Sequence, residues 1–72
     1  MSEVVLKVLP TEGGWWLDCN LDLEPIYFRS GARVEATARK MASRLANEGH
    51  DVRLVINDRA NNPVATQRYA AV

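Results

Sequence analysis

The chain has 72 residues, 47% hydrophobic and 25% charged, with nine basic and nine acidic side chains in balance. This composition excludes a disordered tail, and the longest apolar runs, Trp15-Trp16-Leu17 and Leu54-Val55-Ile56, fall far short of the roughly 20 residues a membrane helix needs. Zero net charge removes any whole-molecule attraction to nucleic acid or anionic lipid.

A chain this short buries only about 60% of its unfolded surface, so a single domain over residues 1–72 is expected. The start Met1-Ser2-Glu3-Val4 has no basic run ahead of an apolar stretch, and the lone Cys19 cannot close an internal disulfide. A cytoplasmic protein without a secretory leader is therefore the expectation.

From Glu3 to Leu9, Val4, Leu6 and Val8 alternate with Glu3, Val5 and Lys7, the period of two of a strand with one buried face. Pro10 ends it, and Thr11-Glu12-Gly13-Gly14 supplies the glycines of a hairpin turn. Trp15, Leu17 and Cys19 then share one face of a second strand, with Trp16, Asp18 and Asn20 on the other. Leu21 to Pro25 is a polar, acidic connection, and Ile26-Tyr27-Phe28 is an extended entry to the next element.

Over 31–48 the period becomes helical, with Val34, Ala38, Met41, Ala42 and Leu45 in one arc, Ser30 as N-cap and Gly49 just past the C-terminus. Glu35 and Arg39 stand four apart in the favourable order. Val52 to Asn57 and Val64 to Tyr69, joined by the turn-rich Asp58-Arg59-Ala60-Asn61-Asn62-Pro63, make a second hairpin. The expected fold is α+β: ββαββ, an antiparallel-rich four-stranded sheet with the helix packed on one face.

Charge is unevenly spread, with three basic against six acidic side chains over 1–36 and the reverse over 37–72. Such asymmetry favours contacts between unlike surfaces unless the halves interleave in space.

Gly14-Trp15 opening the second strand, Phe28 and Ser30 ahead of a helix carrying Glu35-Ala36 and Ala38-Arg39, and the Asp58-Arg59 turn resemble Domain of Unknown Function 2188, a family of short bacterial proteins. The resemblance covers Lys7 to Tyr69. It implies the ββαββ order and brings no activity. The chain departs from the family in its second tryptophan, Trp16, and in Asn61-Asn62, where members usually carry glycine.

Constellations that would carry chemistry are incomplete. Asp18, Asn20 and Asp22 match the first three ligand positions of a calcium loop, but Leu23 stands where the turn needs glycine and Arg29 where a closing glutamate belongs. One histidine, His50, and one cysteine, Cys19, cannot assemble a four-ligand metal set. Cys19 alternates with core residues while His50 follows a helix end, which argues against a catalytic pair. No enzyme activity, cofactor or metal is expected, although a small enzyme with a site shared across a dimer remains an alternative.

Two surfaces stand out. The sheet face turned away from the helix should display Val5, Lys7, Trp16, Arg53 and Val55, joined by Gln67 and Tyr69 or by Thr66 and Arg68 according to register. An exposed Trp among β-branched residues marks an interface, unless Ala70-Ala71-Val72 or a curled hairpin covers it. On the helix, Arg33, Lys40 and Arg44 form a basic ridge open to phosphates, with a solvated flank as its plainer reading. The expected function is a non-catalytic interaction domain, self-associating or binding a protein through Val5, Trp16, Arg53 and Val55. The alternative is weak binding of single-stranded nucleic acid through Trp16, Lys7, Arg53, Arg33, Lys40 and Arg44, which zero net charge disfavours. No membrane role is expected.

Overall fold

The computed structural model describes residues 3–21 and 23–72. Its elements are β1 (Val4–Thr11), β2 (Gly14–Cys19), β3 (Ile26–Phe28), α1 (Gly31–Asn47), β4 (Val52–Asn57) and β5 (Pro63–Tyr69). The expected α+β class with one helix is present. The sheet, however, has five strands in the order β3-β2-β1-β4-β5 and is mixed, with β1 and β4 parallel and every other pair antiparallel. The four-stranded ββαββ expectation is corrected by β3, a three-residue edge strand that pairs with β2 as Trp15↔Phe28, Trp16↔Tyr27 and Leu17↔Ile26. Pairing to a neighbour creates this strand; its own three residues are too few to show a period.

Alternation does the sorting elsewhere. Val4, Leu6, Val8, Leu17, Cys19, Val52, Leu54 and Ile56 turn to one face and meet Val34, Ala38, Ala42, Leu45 and Ala46 of α1 in a single buried cluster. Leu6, Leu54, Val34, Ala38 and Ala42 are wholly buried, and each large aliphatic among them contributes about 1.5–3 kcal/mol through burial. Met41 is only partly buried at the edge of this arc, joined by Trp15, Phe28 and Tyr69.

Both helix ends are closed as their residues foretell. The Ser30 hydroxyl accepts from the Arg33 amide at 3.2 Å. At the other end Gly49, at φ 99°, lets its own amide reach Ala46 O and the His50 amide reach Leu45 O, the paired bonds that satisfy the last carbonyls of a helix. The Glu35–Arg39 pair forms at 3.3 Å on exposed surface, where it contributes little.

The hairpin loops are bound to each other. The first is tighter than its four turn residues suggest: β1 runs on through Pro10 to Thr11, which pairs with Gly14, leaving Glu12 and Gly13 at the tip. In the second, the Asp58 carboxylate accepts from the Ala60 and Asn62 amides, and Asn61 takes φ 64°, a left-handed position that asparagine tolerates. Thus shaped, the loop aims Arg59 at the first hairpin, where its guanidinium donates to Gly14 O at 2.6 Å and Thr11 O at 2.9 Å and lies 4.9 Å from the Trp15 ring centroid. Loss of two charge-assisted bonds and a cation–π contact should lower stability by about 1–2 kcal/mol in Arg59→Ala. Arg59→Lys should recover less than half of that, because one ammonium cannot replace a planar fork. Urea unfolding of both variants measures the difference, and equal stability of Lys and Arg at this position would contradict the clamp.

Candidate interaction surface

The uncovered sheet face is organised in rows by the register. One row runs Tyr27, Trp16, Leu9; a second runs Asp18, Lys7, Val55, Thr66; a third runs Val5, Arg53, Arg68. The four interface candidates Val5, Trp16, Arg53 and Val55 therefore share one face, with Lys7 among them. The register of β5 is also fixed: Thr66 and Arg68 join this face opposite Val55 and Arg53, while Tyr69 pairs with Val52 and packs on the core. Asn57 pairs with Pro63 and Ile56 with Ala65, so Val64 is the extra residue of a bulge and is 61% exposed.

Trp16 is 38% exposed and Tyr27 44%, and their rings meet edge to face with centroids 5.6 Å apart, an arrangement that gains about 0.5–1.5 kcal/mol beyond area burial. Tyr27 is held from its far end as well, since its hydroxyl donates to Gly13 O at 2.9 Å. Its ring lies across Gly14, where a Cβ would stand 2.6 Å from the Tyr27 hydroxyl oxygen and overlap the Phe28 carbonyl. Glycine in a strand next to a cross-strand aromatic is a recurrent way of seating the ring against backbone. The C-terminal residues do not cover this pair. They turn to the opposite side, where the Val72 amide donates to Ala46 O and the Ala71 amide to the Asp51 carboxylate.

Charge on the open face is of both signs. Glu3 receives Arg53 at 2.8 Å and lies 4.0 Å from Arg68, while Asp18 stands opposite Lys7 across the β1–β2 pair. Asn20 fixes the start of β1 by accepting from the Val5 amide and donating to Glu3 O. The residues that sequence reasoning missed are Tyr27, Leu9 and the two acids. Once β3 is recognised as a strand, Trp16↔Tyr27 follows from counting outward from Trp15.

The helix ridge lies elsewhere. Lys40 and Arg44, with Thr37 and Met41, line a groove of about 540 Å³ against Ile26 on the helix-bearing side of β3. Lys7 and the helix cations are thus on opposite faces of the sheet and do not form one phosphate track. Cys19 is buried and unpaired, and His50 is part-buried in the turn after α1. Asp22, part of the calcium-loop comparison, lies outside the described residues. Among the described residues, no group of three or more His, Cys, Asp or Glu side chains gathers at one place, and no helix is long and apolar enough to cross a membrane. Comparison with protein-family models, with curated proteins and with solved structures finds no match for the chain.

Proposed function

We propose that the protein is a non-catalytic interaction domain that self-associates through the open sheet face, with Trp16 and Tyr27 as anchors. The observation that carries this reading is the edge-to-face Trp16–Tyr27 pair, half-exposed beside Leu9 in its own row, with Val55 and then Val5 in the rows beyond, on the face that α1 leaves uncovered. Aromatic residues beside exposed charges of both signs match the composition of an interface centre and its polar rim. Glu3, Asp18, Lys7, Arg53 and Arg68 present both signs on one surface, so a two-fold related copy meets complementary charge. Four strands about 4.8 Å apart and some 20 Å long, with the ~10 Å of β3 beside them, give an area of roughly 430 Å² per copy, at the low end for specific interfaces. A weak, concentration-dependent dimer follows.

Single-stranded nucleic acid is the rival occupant of the same face, since bases stack on such rings. Against it, Glu3 and Asp18 already occupy the neighbourhood of the cations, and the helix cations face the other way. Amide-resolved NMR at two protein concentrations, with and without a mixed-sequence single-stranded oligonucleotide, separates the two. Self-association predicts concentration-dependent shifts at Trp16, Tyr27, Leu9 and Val55 that ignore the oligonucleotide. Shifts at those residues that require oligonucleotide and weaken with salt would replace this reading with the rival.

A further inference from the structure

We infer that the groove between β3 and α1 is a docking site for an extended peptide segment whose side chains on one face are both apolar and acidic, added as a sixth strand on the β3 edge. Three observations meet there. Among the described residues β3 ends the sheet, with no strand beside its outer edge, so its outward backbone groups are a template for strand addition. Ile26 points to the helix side, opposite Leu17, and is 49% exposed, and Met41 lies across from it in the same groove. The groove thus has an apolar floor that nothing in the described chain fills.

Charge chooses the occupant. Lys40 and Arg44 rise from the helix one turn apart on the groove wall, and Arg33 extends the same stripe of α1 beyond Thr37. Among the described residues none of these three is in an ion pair, whereas Arg39, which is not on the groove wall, is held by Glu35. Alternate side chains of an added strand point to opposite faces, so every second side chain would enter the groove, where an apolar one reaches Ile26 and Met41 and acidic ones two residues to either side meet Lys40 and Arg44. A second copy pairing β3 to β3 about a two-fold axis would instead bring two cationic walls to the same seam, an unfavourable juxtaposition. Bare phosphate chains would leave the apolar floor unused.

This site is separate from the open face and does not depend on self-association there. The test is an NMR titration of the labelled protein with a capped Glu-Thr-Ile-Thr-Glu peptide, with Lys-Thr-Ile-Thr-Lys as control. Expected are shifts confined to Ile26–Phe28 and the Thr37 to Arg44 stretch with the acidic peptide only, and an approximately tenfold weaker dissociation constant in the K40Q/R44Q double variant. Both replaced side chains are exposed, so an unchanged amide spectrum elsewhere verifies the fold. No shifts with millimolar acidic peptide, or equal binding of both peptides, would overturn the proposal. So would tighter binding of an oligothymidylate at the same residues, which makes the groove a phosphate site, or dilution-dependent shifts across Ile26 and Thr37 to Arg44 without peptide, which makes the occupant a second copy.

Discussion

Gly14→Ala is expected to cost the fold about 3 kcal/mol, lowering the melting temperature of a domain this size by about 12–24 °C. Glycine-to-alanine changes where the backbone suits both residues gain about 0.4–1 kcal/mol by restricting the unfolded chain. That gain is outweighed here, because the new methyl would overlap the Phe28 carbonyl and press on the Tyr27 ring. The carbonyl is backbone of the neighbouring strand and cannot swing away, so β3 must separate from β2 or the hairpin must deform. The consequence reaches the surface: Tyr27 loses its seat, and the Trp16 ring loses the edge it packs against. Near-ultraviolet circular dichroism during thermal melting reads both effects, and a variant with wild-type melting temperature and aromatic signal would show the close approach to be unimportant.

Much of the fold was legible because its buried side is written in simple periods. Val4, Leu6 and Val8, Leu17 and Cys19, and Val52, Leu54 and Ile56 alternate cleanly, and the arc through Val34, Ala38, Ala42 and Leu45 repeats at helical spacing. Ser30 and Gly49 mark the helix ends by chemistry that acts within a few residues. What the sequence concealed depends on pairing across distance. Ile26 and Tyr27 stay exposed and carry no buried-face signal, so only contact with β2 reveals β3. The parallel β1–β4 junction at the centre of the sheet joins residues nearly 50 apart, such as Leu6 and Leu54, and no local pattern announces it.

The open sheet face was legible in the same partial way. Val5, Trp16, Arg53 and Val55 follow from alternation alone and share the open face. Their partners do not: Glu3, just ahead of β1, meets Arg53 of β4, and Tyr27 meets Trp16 across β2–β3. Arg59 is the clearest case, a loop residue whose role is set by the carbonyls of Thr11 and Gly14, about 45 residues earlier in the chain.

Trp16→Ala is the second change with a large expected effect, on association more than on folding. Because a two-fold interface uses the anchor twice, and a buried tryptophan anchor is typically worth at least about 2 kcal/mol, the loss is about 4 kcal/mol per dimer, near a thousandfold in dissociation constant. The monomer should survive, since Trp16 lies outside the buried cluster. Loss of the Tyr27 ring contact should lower the unfolding midpoint at low concentration by about 2–12 °C, and a variant still folded at the assay temperature separates an effect on the dimer from one on the fold.

Sedimentation equilibrium of the wild-type chain and of Trp16→Ala, from about 10 μM to 1 mM, is therefore the most direct measurement. Self-association through the open face predicts a mass that rises from monomer toward dimer with wild-type concentration and stays monomeric in the variant. A wild-type monomer throughout, or a dimer that the variant forms equally well, would contradict it.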